Sequence, residues 1–269
     1  MNNSPLDTAI KAAKTAGNLL LEYQNSQRNI DIEEKNLNDL VTNYDTESEK
    51  IIISILKGDF PDFGIIAEEG GISKISPDKP YWIIDPIDGT SNFIHRFPIY
   101  CVSIGLCLGN DHLCGVIYNP ALNELFYAQK EEGAYLNGNR IRVSGCLKLK
   151  EAMIATGFPF RSYDLLDRYM DCANKLLRNC HDIRRAGAAA VDLAYVACGR
   201  LDAYFEYGLQ PWDAAAGAII LKEAGGTVTD FGGGNDYLFG RTLISSNTTI
   251  HEELLSIISN NLPHKYLSV

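Results

Sequence analysis

The sequence predicts a layered α/β protein, on three observations: amphipathic helical periodicity at the start, closely spaced strands with turn signals between residues 99 and 144, and alternating strands and helices from Glu151 onward. SPLDTAIKAAKTAGNLLLEYQ opens the chain with Ser4 as N-cap, Pro5 at the first helical position and Asp7 in the first turn. Leu6, Ile10, Ala13, Gly17, Leu20 and Leu21 recur at three- and four-residue spacing, so this helix exists to pack. A polar loop carrying Lys35 then runs into Asp39 to Thr42, and a second helix begins near Asp45, with Thr46 and Glu47 in its first turn and Ile51, Ile52, Ile55 and Leu56 as its apolar face. Asp45 either caps that helix or faces a site.

FGIIAEEGG is a short apolar strand ending in acid, and YWIIDPIDGTSNF a second, whose Trp82, Ile83 and Ile84 are stopped by Pro86 and Gly89 so that the strand ends at Asp85. YCVSIGLCL, HLCGVIY, ELFYAQ and AYLNGNRIRVS follow as an antiparallel meander, with Gly109-Asn110 and Asn137-Gly138 as the clearest turns. The second half reads MIATGF, a helix over 164–178, DIRRAG, a helix over 188–198, LDAYFEYG, a helix over 213–224, GTVTDF, LISSN and a last helix near 252–259. Gly199 and Gly225 fall where helix C-terminal glycine is expected. There is no internal repeat and no long linker.

A chain of 269 residues, 46% hydrophobic and 22% charged, reads as an ordinary soluble globular protein of one large domain or two closely packed ones. No apolar run approaches the roughly 20 residues of a membrane helix, and MNNSPLDTAIK lacks the pattern of a secretory signal. Seven scattered cysteines without a CxxC pair fit free thiols in a reducing cytoplasm. The net charge of −10 opposes nucleic acid and phosphate alike, so a phosphate-handling site here needs cations to invert the local sign. Arg184 and Arg185 form the densest positive spot, by default a solvated pair. No GxGxxG opens a helix after a strand, which sets aside a nucleotide-binding oxidoreductase.

Asp85 and Asp88 stand three residues apart across the Pro-Ile-Asp-Gly bend, with the Ile87 carbonyl between them. Hard oxygens converging this way suit Mg²⁺, which takes one or two carboxylates and keeps several waters. A lone DxxD is more often a turn whose carboxylates cap local amides, so other residues must decide. Alternation along a strand puts one of Glu68 and Glu69 on the face of Asp85, and the residues themselves do not choose. Asp213, at the start of an alanine-rich helix in LQPWDAAAGAIILKEAGG, is either an N-terminal acid favoured by the helix dipole or a carboxylate delivered to the same metals.

WIIDPIDGTSNF, with EKNLNDLVTNYD, IIAEEGG and PWDAAAG, resembles the inositol monophosphatase family of magnesium-dependent, lithium-sensitive phosphatases, in the same order and over nearly the whole chain. ATGFPFR, DIRRAGAAAVDLAYVACGRLDAYFEYGL and EAGGTVTDF are similar to its bacterial members. The resemblance implies an αβαβα sandwich, with halves 1–146 and 147–269 forming a single catalytic unit, two or three Mg²⁺ ions, a homodimer, and inositol monophosphate or a similar small sugar phosphate as substrate. It implies Glu68, Asp85 and the Ile87 carbonyl around a first metal, Asp85 bridging, and Asp88 and Asp213 completing a second. Thr90 would orient the attacking water with Asp45 behind it, and Lys35 would lie on a loop that closes over the site. Gly89 and Thr90 amides would hold phosphate, Glu206 would contact sugar hydroxyls, and Gly187, Ala188 and Ala189 would line that pocket. The family often has Ser or Thr where this chain has Ala188, which removes a hydroxyl. Two alternatives stay open: a phosphatase for fructose 1,6-bisphosphate or a 3′-phosphonucleotide, with Arg161, Arg184 and Arg185 as candidates for a second cationic pocket, and a regulatory partner of the transcription machinery, as in some bacterial members.

Overall fold

The computed structural model describes residues 3–25, 32–36, 39–73, 75–76, 78–159 and 163–266, with the side chains of 25, 33–36 and 39 outside that description. Helix α1 (Pro5–Asn25) is capped as its sequence dictates, the Asp7 amide donating to Ser4 Oγ at 3.1 Å. Strands β1 (Ile32–Asn36) and β2 (Asp39–Thr42) form an antiparallel hairpin where the sequence reading placed a polar loop. The strands IEEKN and DLVT hold only three apolar residues, Ile32, Leu40 and Val41, so the pairing does not follow from hydrophobic alternation. Helix α2 (Asn43–Asp59) starts two residues before Asp45, because Thr42 is the N-cap: its hydroxyl accepts the Tyr44 amide at 3.1 Å, and Asp45 accepts the Thr42 amide at 2.7 Å.

An eight-stranded sheet is built from β3 (Gly64–Ala67), β4 (Gly71–Ile72), β5 (Tyr81–Asp88), β6 (Cys101–Leu108), β7 (Asp111–Asn119), β8 (Glu124–Gln129), β9 (Gly133–Leu136) and β10 (Asn139–Arg140), in the spatial order β10-β9-β8-β7-β6-β5-β3-β4. Only β3 and β5 are parallel neighbours in it; β6 to β10 form the expected meander, and β4 and β6 pair antiparallel with β3 and β5. β5 does not stop at Asp85. It continues to Asp88 through a bulge in which Pro86 and Ile87 together face one residue of β6, between the pairs Asp85↔Ser103 and Asp88↔Cys101. A bulge removes the need for the amide that proline lacks, so the ladder survives. The short helix α3 (Thr90–Ile94) follows directly.

The second sheet comprises β11 (Met153–Thr156), β12 (Asp182–Arg184), β13 (Ala203–Tyr207), β14 (Gly226–Thr229) and β15 (Thr242–Asn247), in the order β12-β11-β13-β15-β14. Helices α4 (Leu166–Asn179), α5 (Ala189–Ala197), α6 (Pro211–Glu223) and α7 (His251–Ser259) connect or follow these strands.

Side-chain alternation sorts these elements into five layers. Trp82, Ile84, Val102 and Val116 point to α1 and α2, burying Ala9, Ala16, Leu20, Ile52 and Leu56. Ile83, Ile117 and Phe126 point the other way onto α5 and α6, which the second sheet covers with Ala155, Tyr204 and Leu243. Ile154, Phe205 and Ile244, on that sheet's outer face, pack against Tyr169 and Leu176 of α4 and Leu254 and Ile258 of α7. The order is therefore αβαβα. All seven cysteines carry free thiols. Among the described residues no helix is long and apolar enough to cross a membrane.

Candidate active site

The bulge in β5 is what aims both of its aspartates at one point. Asp85 and Asp88, joined by Asp213 from the first turn of α6, present carboxylate oxygens within 4.8 Å of one another. Asp213 is fixed locally, accepting the Gln210 amide at 2.7 Å, and the Trp212 carbonyl accepts the Ser103 hydroxyl at 3.2 Å, which ties the start of α6 to the strand beside β5. Asp88 accepts the Ala189 amide at 3.1 Å and the Ala190 amide at 2.8 Å from the first turn of α5, and the Cys101 thiol lies 3.7 Å from its Oδ2. Asp85 accepts the Ile87 amide at 2.9 Å.

Glu68 stands just past β3, its amide donating to the Ile84 carbonyl at 3.2 Å, and its side chain hydrogen-bonds to Asp85. Only Glu68 of the pair lines the cleft; the Glu69 amide donates to Glu49 Oε2 at 2.8 Å, and the Glu69 charge acts on Asp45. The Thr90 hydroxyl lies 3.1 Å from Asp45 Oδ1 and 3.0 Å from the Ile87 carbonyl oxygen, both acceptors for its proton. Asp45 is therefore both things the sequence left open, a helix cap through Oδ2 and a neighbour of the site through Oδ1. Gly89 sits at φ +89°, and a Cβ there would come within 3.0 Å of the Ile99 carbonyl oxygen, so the turn before Thr90 admits no side chain.

The cleft has a volume of about 150 Å³. Its wall holds Glu68, Asp85, Ile87, Asp88, Gly89, Thr90, Gly187, Ala188, Ala189, Glu206 and Asp213, every residue expected there except Asp45, which stands behind Thr90, and Lys35. The Lys35 side chain lies outside the described residues, although Leu40 from the same hairpin reaches the wall. Arg185 lines the cleft, Arg184 pairs with Asp182 on the surface, and Arg161 lies outside the described residues.

Sequence reading did not single out Tyr204, Gly157 or Asp192. Tyr204 donates to Glu206 Oε2 at 2.7 Å, as residues two apart on one strand face can. A Cβ on Gly157 would lie 2.1 Å from the Glu206 carboxylate, so glycine makes the space that side chain fills. Asp192 was legible as the one charge in the apolar helix AAVDLAYVA.

Five acids line this cleft against one arginine, and burial works against their ionisation. Burial and the neighbouring Asp213 push the Asp88 carboxyl up to about 7, and burial raises Glu206 to about 7 and Asp45 to about 6. Asp85 is driven well above the ordinary carboxylate range by burial and by Glu68, Asp88 and Asp213. An all-oxygen set at this spacing fits a hard divalent cation bonded at about 2.1 Å, which would relieve the repulsion.

These raised values fix the sign of a pH effect. The folded chain holds these protons more tightly than the unfolded one, so the stability they contribute is full below about pH 4 and is lost as pH rises through the folded values near 6 to 7. His112, pushed down to about 4 by burial, opposes this trend, but only below about pH 6.5. In chelator, Tm is expected to fall by a few degrees between pH 6.5 and 8, and Mg²⁺ to abolish the fall. Thermal melts in EDTA that are flat or rising over that range would contradict the assignment of acids to this cluster.

The sequence profile of the inositol monophosphatase family matches residues 2–262. The chain belongs to that family. Within it, the chain is 40% identical over 257 residues to the Nus factor SuhB of Escherichia coli, covering 96% of each protein. The crystal structure of the extragenic suppressor protein suhB from Bartonella henselae superposes with a TM-score of 0.89 at 38% identity, over 95% of this chain and 98% of that one. The inositol monophosphatase from Anabaena (Nostoc) superposes with a TM-score of 0.86 at 36% identity, over 96% of both chains. Inositol monophosphatases are metal-binding phosphatases, generally magnesium-dependent, and the acidic cluster of this chain has the oxygen chemistry they require.

Proposed function

We propose that this chain hydrolyses inositol 1-phosphate, or a closely similar small polyol phosphate, to the free alcohol and inorganic phosphate in a reaction that depends on Mg²⁺. The observation that carries this reading is the convergence of Asp85, Asp88 and Asp213 in a small cleft that also holds Glu206 and the Gly187 to Ala189 turn. Two or three Mg²⁺ ions held by Glu68, Asp85, the Ile87 carbonyl, Asp88 and Asp213 would neutralise phosphate charge and acidify water there. The chain's own groups do the rest. Thr90, whose proton goes to Asp45 or to the Ile87 carbonyl, keeps its oxygen lone pairs for the attacking water and orients that water. Backbone amides at Gly89 and Thr90 hold the phosphate, and Lys35 lies on the hairpin that approaches the cleft. Glu206 accepts hydrogen bonds from substrate hydroxyls, while Ala188 contributes backbone contact only. The working unit is a homodimer in the cytoplasm.

The test is phosphate release from inositol 1-phosphate, fructose 1,6-bisphosphate and 3′-phosphoadenosine 5′-phosphate, each with Mg²⁺ and with chelator. Chelator-sensitive turnover of the inositol ester above the other two is the expected result. Preference for a bisphosphate would keep the acidic cluster and move the substrate.

A second reading is favoured by the name Nus factor carried by a relative that matches end to end: the chain binds a component of the transcription machinery, and its phosphatase activity is dispensable to that role. Direct nucleic-acid binding is not part of it, given the net charge of −10.

A further inference from the structure

Helix α2 carries three polar side chains that water hardly reaches: Asp45, Ser48 and Glu49 are 1%, 0% and 5% exposed. Three- and four-residue spacing sets them on one face of the helix, and each reaches a different segment of the site. Asp45 Oδ1 lies 3.1 Å from the Thr90 hydroxyl, where α3 begins. Ser48 donates to the Pro86 carbonyl oxygen at 3.1 Å, inside the bulge that separates Asp85 from Asp88. Glu49 Oε2 accepts the Glu69 amide at 2.8 Å, one residue past Glu68. Burying polar groups costs free energy that an apolar helix face would not, so the role of this face lies in what it holds.

The sheet alone does not set the distance between Glu68 and Asp85. The parallel ladder of β3 and β5 ends at the pair Ala67↔Ile84, and Glu68 follows it with a single amide donated to the Ile84 carbonyl at 3.2 Å. The next amide, that of Glu69, is the one Glu49 takes. Gly70 completes this seat. It is an exposed turn residue without a positive φ, and among the described residues a Cβ there would meet only the Glu49 carboxylate, 2.8 Å from Oε1. A side chain at position 70 would therefore push that carboxylate off the Glu69 amide.

We propose that Glu49 is a positioning residue for the metal site: it anchors the Glu68 turn to α2, so that the Glu68 carboxylate stands at a fixed distance from Asp85 before a cation arrives. The inference rests on the assignment of Glu68 as a Mg²⁺ ligand and adds what holds it in place. A turn fixed in advance loses little freedom when the ion binds, and affinity gains by that amount. Glu49 itself lies outside the cleft wall, so its effect on metal passes through Glu68.

Mg²⁺ binding to the full chain without substrate is measured by calorimetry, with phosphate release from inositol 1-phosphate followed alongside. Glu49→Ala should weaken Mg²⁺ binding about tenfold, the lower end of what outer partners of metal ligands contribute. Glu49→Gln keeps an oxygen for the Glu69 amide and should restore affinity to within about threefold of the parent. Gly70→Ala should reproduce the Glu49→Ala loss in the parent and add nothing once Glu49 is alanine. In a Glu68→Ala background, Glu49→Ala should change Mg²⁺ affinity by less than about twofold, because two residues that act through one ligand do not add. A general structural defect would instead lower affinity equally in both backgrounds. Where Glu49→Ala does not fold, Gly70→Ala crossed with Glu68→Ala reads the same coupling from an exposed turn. Additive losses, or parental affinity in both Glu49→Ala and Gly70→Ala, overturn the proposal. Parental affinity in Glu68→Ala overturns the assignment of Glu68 and this inference with it. Coupled losses of Mg²⁺ binding in a chain that releases no phosphate overturn the catalytic reading alone and leave this one standing.

Discussion

Asp88→Asn is expected to lower Mg²⁺-dependent phosphate release by roughly 10³-fold or more, since even the outer partners of metal ligands are worth about 10–100-fold. The substitution removes the charge that faces Asp213, and it misplaces a donor: Asp88 accepts amides at both oxygens, from Ala189 at 3.1 Å and Ala190 at 2.8 Å, so an asparagine NH₂ must confront one of them. The same change relieves like-charge repulsion in the cluster. In chelator the variant should therefore melt no lower than the parent, and its response to Mg²⁺ should shrink. Loss of activity with an intact melt assigns Asp88 to the metal site; activity within tenfold of the parent removes it from that site. The variant also separates the two functional readings. A cellular phenotype that persists in Asp88→Asn cells belongs to partner binding, and one that disappears belongs to catalysis.

The elements were legible because their signals are local. Period-two strands, the Ser4 cap, the glycine stops at Gly199 and Gly225 and the Asn137-Gly138 turn all depend on neighbours a few residues away, and each element formed within a few residues of its expected bounds. The failures were also physical. Pro86 reads as a strand breaker until the partner strand is known, because only the register Asp85↔Ser103 and Asp88↔Cys101 reveals a bulge that tolerates it. The hairpin around Lys35 was missed because its residues, mostly charged or polar, carry turn-like polarity.

For the site, DxxD, the glutamate pair and Asp213 are separately ambiguous. Residues from β3, β5 and α6 become a cluster only when the sheet sets β3 beside β5 and α6 lies across β6 and β7. The family resemblance chose Glu68 over Glu69, and the cleft wall contains Glu68. Nothing in the strand sequence says that Cys101 will face Asp88, or that Gly157 clears space for Glu206; those are contacts between segments far apart in the chain.

The placement of α6 gives the second large effect. Gly105 and Gly115 sit directly opposite each other on β6 and β7, a bare patch on which the alanine-rich start of α6 rests. A Cβ at Gly115 would come within 2.6 Å of Ile219 Cγ2 and 2.7 Å of the Ala216 carbonyl oxygen, and backbone cannot give way as a side chain can. Gly115→Ala must therefore push the helix off the sheet, at a cost of about 2–3 kcal/mol, which lowers Tm by roughly 5–10 °C in a chain of this size. Gly58→Ala, in α2 with nothing within 4 Å, is the control and should stabilise by about 0.5–1 kcal/mol through helix propensity. Because Asp213 rides on the first turn of α6, Gly115→Ala should also raise the Mg²⁺ concentration needed for half-maximal stabilisation, whereas Gly58→Ala should leave it unchanged. Melts at graded Mg²⁺ read both effects together. A Gly115→Ala protein with parental Tm and parental Mg²⁺ dependence would mean that the close approach of α6 to the glycine pair does not hold the acidic cluster together.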